Sequence, residues 1–213
     1  MTELSRYVKR YTSISAVIDI LLRKQLPLLS PQNWDDRNDS YFMELYKENK
    51  QLGGLYGLCA TMSSETYHHW RVFAGGSDGA CIEIDRNMLE NSIRNLNGVR
   101  FGKIEYLLLD KVKLLKSSDL DRLPFVKRHG FAAEKEYRIV AETSEVQKPA
   151  FSVDFPVSMI NKIYLNPWLP RAISDSLKVT LKSLKGCSSI QVSQSKLINS
   201  RLWKAAGDKA AGK

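Results

Sequence analysis

The clearest periodic pattern along the chain lies between residues 14 and 22. Apolar residues recur there at the spacing of one helix face, at Ile14, Val17, Ile18, Leu21 and Leu22. Thr12 and Ser13, directly before this run, carry hydroxyl groups that can cap a first helical turn. The pattern therefore predicts an amphipathic helix that follows a first strand and is ended by Pro27.

Short apolar runs separated by turn residues predict strands along the rest of the chain. After a first strand that closes at Arg10-Tyr11, the predicted strands cover residues 55–61, 80–85, 99–109, 136–141, 151–155, 162–165 and 190–192. Further helices are predicted for residues 41–52, 63–73, 88–96, 119–130 and 173–184. This mixture predicts a single compact α+β domain, with a mixed or mainly antiparallel sheet flanked by helices. We expect the domain to cover residues 1–204, and the Ala-, Gly- and Lys-rich residues 205–213 to form a flexible tail.

The composition is that of an ordinary globular protein. Hydrophobic residues make up 43% and charged residues 26% of the 213 positions, which disfavours disordered and fibrous classes. The N-terminus is polar and no stretch approaches the roughly 18 apolar residues of a membrane span, so neither a secretory signal nor a membrane partner is expected. The three cysteines, Cys59, Cys81 and Cys187, are odd in number and far apart. We expect reduced, buried thiols in a cytoplasmic protein.

The net charge of +9 comes entirely from the second half of the chain. Residues 1–110 hold 13 basic and 14 acidic side chains, whereas residues 111–213 hold 19 basic and 9 acidic. One interpretation is a polyanionic partner such as nucleic acid, and the other is a lysine-rich surface that only keeps the protein soluble. The candidate polyanion-binding residues are Lys127, Arg128, Lys178, Lys182 and Lys185. The last three share one face of the helix predicted for residues 173–184 and its end.

The most informative chemistry lies in the segment from Glu134 to Arg138. Two carboxylates, Glu134 and Glu136, are two residues apart, and in a strand they would point to the same face as Arg138. Because like charges at that distance repel, one carboxyl could have a raised pKa, or bind a cation or a sugar hydroxyl. The alternative is an ion-paired strand end, in which Arg138 offsets both glutamates.

Other motifs carry weaker indications. Arg10 precedes the first helix, whose N-terminus favours an anion, and its alternative role is that of a surface arginine. The segment from His68 to Arg71 lacks the spacing of a metal site, so no metal is expected and aromatic packing is its simpler role, although Trp70 could line a pocket. The glycine-rich residues 75–79 lack the ending of a phosphate-binding loop and predict a turn.

Taken in order, these segments resemble a bacterial family, the domain of unknown function family 2971. The matching segments extend over nearly the whole chain and comprise Arg10-Tyr11-Thr12-Ser13, Leu29-Ser30-Pro31 through Trp34-Asp35-Asp36, Tyr56-Gly57-Leu58-Cys59 leading to Ser63, Trp70-Arg71-Val72-Phe73, residues 79–85, Lys127-Arg128, Phe131, Glu134-x-Glu136-x-Arg138 and Ile160 through Pro167-Trp168. Family members are often found near mobile elements and phage-defence genes. The resemblance therefore implies a toxin or a defence effector.

A second, weaker resemblance is to ADP-ribosyltransferases. These enzymes present, in chain order, an Arg or His on the first strand, a Ser or Tyr on a central strand and a late Glu, often as E-x-E. Arg10, Ser63 and Glu136 follow that order here, with Glu134 two residues before Glu136. The resemblance implies that Arg10 holds the pyrophosphate of NAD and that Glu136 accepts the ribose 2′-hydroxyl and stabilises the cation as nicotinamide leaves.

The same resemblance assigns supporting residues. Ser63 and an aromatic side chain, Tyr11 or Trp70, would frame the nicotinamide ribose, with Arg138 as a further binding residue. Glu134 would assist the incoming nucleophile, and the basic second half of the chain could guide a nucleic-acid acceptor.

An NAD-dependent ADP-ribosyltransferase-like effector that modifies a macromolecule is accordingly the favoured function. One alternative is a nucleic-acid-binding or nuclease-type effector that uses Glu134, Glu136 and the lysines. The other is a non-catalytic sensor or interaction domain.

Overall fold

The computed structural model describes residues 5–74 and 76–212. Its strands are β1 (Tyr7–Ser13), β2 (Gln25–Leu29), β3 (Gly54–Thr61), β4 (Gly79–Asp85), β5 (Val99–Lys103), β6 (Glu105–Leu107), β7 (Val126–Arg128), β8 (Glu136–Thr143), β9 (Ala150–Asp154), β10 (Ile160–Leu165) and β11 (Val192–Gln194). Its α-helices are α1 (Ile14–Arg23), α2 (Arg37–Asn49), α3 (Tyr67–Phe73), α4 (Arg86–Ile93), α5 (Leu109–Val112), α6 (Arg171–Ser183) and α7 (Arg201–Ala210). Short 3₁₀ helices cover Pro31–Asn33, Ser117–Phe125, His129–Glu134 and Val157–Met159. The α+β prediction is confirmed.

Nine of the strands form one branched, mainly antiparallel sheet. One half runs in the order β11-β10-β4-β1, and the other in the order β9-β2-β3-β8-β5. The pairs β10-β11 and β6-β7 are parallel. The two halves meet between β1 and β3, which share a single residue pair, Lys9 with Thr61. The sheet is therefore split at this junction, and the split positions the candidate site.

The first helix follows the local pattern closely. The Ser13 hydroxyl accepts a hydrogen bond from the N–H of Ala16, so this serine is the N-cap that the sequence predicts. The buried face differs from the predicted one by a small rotation, since Ile20 is buried whereas Leu22 is 62% exposed. The helix ends at Arg23 and is capped by Lys24, which takes the left-handed conformation at φ 55° and donates its N–H back to the carbonyl of Ile20.

Several predicted elements are corrected by long-range pairing. Pro27 does not end α1 but lies inside β2, and the strand predicted for residues 99–109 is two strands, because β5 pairs with β8 whereas β6 pairs with β7. The helix predicted for residues 119–130 is wrong: a 3₁₀ helix ends at Phe125 and β7 follows. Pro124 explains the break, since it lacks an N–H and crowds the preceding turn.

The C-terminal part of the chain forms the last helix, α7. The boundary proposed between residues 204 and 205 falls inside α7, whose residues are exposed, Leu202 and Trp203 included. The flexibility of this tail stays a prediction, and residue 213, like residue 75 of the predicted turn, lies outside the described residues. None of the helices described here combines the length and the apolar content that crossing a bilayer requires.

Candidate functional site

A cavity of about 520 Å³ lies at the split between β1 and β3. Its walls come from these two strands, from α3, from the loop that joins β2 to α2, and from residues 127–136. The volume is within the roughly 300–1,000 Å³ that small-molecule sites usually span. The sheet thus opens a ligand-sized space at the junction of its two halves, where β1 and β3 share the pair of Lys9 with Thr61.

Glu136, the first residue of β8, lines this cavity and is 4% exposed. Its Oε1 accepts a hydrogen bond from Nε of Arg138 at 2.7 Å, and its Oε2 accepts one from Nζ of Lys127 at 3.1 Å. Burial by itself raises the pKa of Glu136, but the two cations outweigh burial and lower that pKa to about 2. The carboxylate is therefore ionised throughout the neutral pH range.

Lys127 holds three carboxylates together. Its Nζ lies 2.7 Å from Glu134 Oε2, 3.1 Å from Glu136 Oε2 and 3.8 Å from Asp39 Oδ2. Burial alone lowers the pKa of this lysine, but Glu136 and its neighbours raise the pKa overall, so the ammonium stays charged. Lys127 thus lines the cavity and pairs with its carboxylates, rather than lying on the predicted polyanion-binding surface.

Glu134 also belongs to this cluster, but it does not lie in a strand with Glu136 as the sequence analysis considered. It ends a 3₁₀ helix, and Lys135 at φ 45° turns the chain before β8 begins. Burial raises the pKa of Glu134 by more than its contact with Lys127 lowers it. Glu134 and Glu136 therefore meet on one cation and differ in acidity, with Glu134 the more basic of the two.

Arg138 lies outside the cavity and holds two of the carboxylates, Glu136 and Asp39. The side chain is fully buried, and its Nη1 and Nη2 donate to the two carboxylate oxygens of Asp39 at 2.9 and 2.6 Å. Nη1 also donates to the carbonyl of Pro124, and the ring of Trp34 lies over the guanidinium at 4.6 Å. Arg138 was expected to bind substrate, but it does not line the cavity. It fixes Glu136 in place and joins β8 to α2.

Arg10 is placed differently from Arg138. Its Nη1 donates to the carbonyl of Cys59 at 2.8 Å across the split, and the side chain lines the cavity. Within residues 5–74 and 76–212, no carboxylate lies within 4.0 Å of this guanidinium. Burial lowers the pKa of Arg10, although an arginine keeps its charge in proteins. A half-buried guanidinium with unused donors favours an anionic ligand.

Of the three residues considered for framing a ribose, only Tyr11 lines the cavity. Tyr11 lines the cavity, and its ring stacks on that of His69 at 5.3 Å. Trp70 is buried behind Tyr11 and donates its Nε1–H to Glu65 at 2.6 Å, so it does not line the cavity. Ser63 is also buried away from the cavity, where Thr61 of β3 stands instead.

The predicted polyanion-binding residues other than Lys127 lie outside the cavity. Arg128, Lys182 and Lys185 are exposed, whereas Lys178 is half-buried and pairs with Asp175 at 2.8 Å. Because α6 ends at Ser183, Lys185 lies beyond the helix rather than on its face. Binding of a polyanion by these four residues stays a prediction.

The cysteines and the possible metal ligands complete the description of the site. All three cysteines are free; Cys81 and Cys187 are buried, and Cys59 is half-buried at the cavity wall. Burial raises the pKa of the Cys59 thiol, which keeps it protonated. In the part of the chain that the structure describes, no group of three or more His, Cys, Asp or Glu side chains is arranged to hold a metal ion.

Trp34 is a cavity residue to which the sequence analysis gave no role. Its indole lies against β3, where a Cβ atom added to Gly57 would stand 2.6 Å from Trp34 Cζ2. The local signal for this contact is a glycine inside a buried strand, which marks the close approach of another group. Which group approaches could not be read from the local sequence.

Gly57→Ala is expected to displace the indole and to lower the free energy of unfolding by about 1–3 kcal/mol, because an added methyl group overpacks the contact. Gly102→Ala is the matched control, since Gly102 also lies in a strand but a Cβ there has nothing within 4 Å. Urea denaturation of both variants measures the difference. Equal stability of the two variants would contradict the assigned packing of Trp34.

Comparisons with known proteins assign no family to this chain. No family model matches and no curated protein matches, so the resemblance to family 2971 is not confirmed. Among solved structures, Thermus sp. 2.9 DarT in complex with NAD+ and in complex with ADP-ribosylated ssDNA are each 10% identical at a TM-score of 0.46, over 92% of this chain and 98% of that chain. The complex of the same protein with carba-NAD+ has a TM-score of 0.44. At this level of similarity neither a family nor a function follows for this chain.

Proposed function

We propose that the protein is an ADP-ribosyltransferase-like enzyme that uses NAD as its substrate and transfers ADP-ribose to a macromolecule. The observation that carries this proposal is the meeting of Arg10 and Glu136 at one cavity of about 520 Å³. One is a guanidinium that has no carboxylate partner among the described residues, and the other is a carboxylate ionised at neutral pH. NAD offers a matching pair of groups, an anionic pyrophosphate and a ribose on which positive charge develops.

Arg10 is suited to the pyrophosphate. One Nη1 donor is used by the carbonyl of Cys59, which orients the guanidinium across the split. The remaining N–H groups of the fork can donate to phosphate oxygens in a charge-assisted, bidentate manner.

Glu136 is suited to the ribose. Its Oε2 receives one hydrogen bond from Lys127 and has a further lone pair that can accept the 2′-hydroxyl. When the bond between C1′ and the nicotinamide nitrogen breaks, the electron pair returns to the pyridine ring and C1′ becomes cationic. An ionised carboxylate held in place by Arg138 stabilises that charge without having to reorganise.

Glu134 is suited to the acceptor. Its raised pKa makes it a better base than Glu136, and it lies at the same cavity. As the acceptor oxygen or nitrogen bonds to C1′, its proton passes to the Glu134 carboxylate. The exposed Arg128, Lys182 and Lys185 would then be available to a polyanionic acceptor.

The cation at the centre of the carboxylates favours this reading over a metal-dependent nuclease. Nζ of Lys127 lies within 3.8 Å of all three carboxylates and occupies the position that a divalent ion would need. A protein cation in that position offsets part of the negative charge of the carboxylates and leaves the chemistry to the glutamates.

The proposal is tested by NAD binding to wild type and to Arg10→Gln, measured by isothermal titration calorimetry. Loss of the charged hydrogen bonds, worth about 1.5–3 kcal/mol, is expected to weaken binding about 10-fold to 100-fold. Arg6→Gln is the matched control, because Arg6 is 72% exposed, pairs with Asp85 and does not line the cavity. Absence of NAD binding by wild type, or equal loss in both variants, would count against the proposal.

A further inference from the structure

The cavity carries charges of opposite sign on different walls. Lys9 and Arg10 of β1 contribute the basic wall. Asp35 and Asp36, in the loop before α2, contribute an acidic wall together with the ring of Trp34. Across the described ranges, neither aspartate has a basic side chain within 4.0 Å, whereas Lys9 pairs with Glu83 at 3.3 Å. Within the described part of the chain, no basic side chain therefore offsets the acidic wall, although Asp36 also caps the N-terminus of α2, whose dipole offsets part of its charge.

Trp34 links this acidic wall to the catalytic carboxylate. Its indole covers the guanidinium of Arg138 at 4.6 Å, and Nε of that arginine donates to Glu136 at 2.7 Å. Asp39 and Glu136 already balance the charge of Arg138, so the arginine adds little positive potential at the exposed part of the indole. A ring bound beside Trp34 would thus stand next to the carboxylate that holds the ribose.

Oxidised NAD has a charge distribution that matches these walls. Its pyrophosphate is anionic and its nicotinamide ring is a cationic pyridinium, so the pyrophosphate is repelled by Asp35 and Asp36 and attracted by Arg10. The pyridinium is attracted both by the aspartates and by the face of a tryptophan ring. Tyr11 is the weaker alternative for the ring, because its own ring is already stacked on His69 and met edge-on by Trp70.

We propose that Trp34, Asp35 and Asp36 form the nicotinamide subsite and that this subsite selects the positively charged oxidised ring over the neutral reduced ring. The inference rests on the proposed function and adds to it the orientation of the substrate and the basis of discrimination. Trp34 contacts the ring, and the two aspartates supply the charge that distinguishes its redox states.

The test compares the binding of three ligands, NAD+, NADH and ADP-ribose, by calorimetry with wild type and with three variants. Wild type is expected to bind NAD+ about 10-fold more tightly than NADH. Trp34→Leu is expected to lose about 10-fold in affinity for NAD+ while its affinity for ADP-ribose, which lacks the ring, changes less than about twofold. Trp168→Leu is the matched control, because Trp168 also packs on an arginine, Arg71 at 4.1 Å, but lies outside the cavity.

Asp35→Asn with Asp36→Asn provides a second variant that leaves the indole in place. It is expected to bind NAD+ and NADH with nearly equal affinity. Equal loss of NAD+ and ADP-ribose in Trp34→Leu, or an unchanged preference for NAD+ in the double variant, would overturn this inference alone. If wild type binds neither NAD+ nor ADP-ribose, the proposed function fails and this inference fails with it.

Discussion

Glu136→Gln is expected to lower the rate of nicotinamide release by about 100-fold to 1,000-fold, because the amide cannot stabilise the positive charge that develops at C1′. The substitution keeps the size of the side chain and an oxygen that can accept from Arg138. Since the pKa of Glu136 is about 2, the wild-type carboxylate is ionised across the neutral range, and the loss should not depend on pH there. Nicotinamide release is followed by chromatography with NAD and candidate acceptors.

The control for this experiment is Glu142→Gln on the same strand. Glu142 also accepts hydrogen bonds from an arginine and a tyrosine, Arg100 and Tyr46, but it does not line the cavity. We expect Glu142→Gln to retain wild-type turnover. Turnover in Glu136→Gln that stays within a few-fold of wild type would remove Glu136 from the reaction.

Arg138→Met is expected to lower the free energy of unfolding by about 3–5 kcal/mol, since removing one partner of a buried ion pair leaves the other charge without compensation. Here Asp39 and Glu136 are both buried, and without Arg138 they keep only their shared contact with Lys127. The pKa of Glu136 is lowered from 4.5 to about 2, so the stability it contributes is complete above pH 4.5 and is lost as the pH falls toward 2. Without Arg138 the pKa of Glu136 in the folded protein moves back towards 4.5, so less stability should be lost between pH 4.5 and 2 in Arg138→Met than in wild type.

Arg100→Met serves as the control for Arg138→Met. Arg100 pairs with Glu142 at 3.3 Å, but its side chain is 37% exposed, so the pair should contribute at most about 1 kcal/mol. Urea denaturation at neutral and acidic pH measures both variants. A loss in Arg138→Met no larger than that in Arg100→Met would show that the buried network is not what stabilises this part of the fold.

The sequence by itself determined the local elements. The spacing of apolar residues and the capping hydroxyl of Ser13 predicted α1, and the apolar runs predicted β3, β4 and β8 within a few residues. These features depend on neighbours within about one helical turn or on strand alternation, and such neighbours can be read from the chain. The chemical types at the site, an arginine on the first strand and a late pair of glutamates, were also visible there.

Only the tertiary structure decided how these groups meet. Asp39 and Arg138 are 99 residues apart, and the cavity exists because β1 and β3 share one pair before their edges turn to other partners. Lys127 was predicted to lie on a polyanion-binding surface, but its ammonium group contacts the buried carboxylates. The indole of Trp34 packs against β3 where Gly57 leaves room for it. The reason is that local periodicity determines which face of an element is apolar, whereas strand pairing and burial across the whole chain determine which charges face one another.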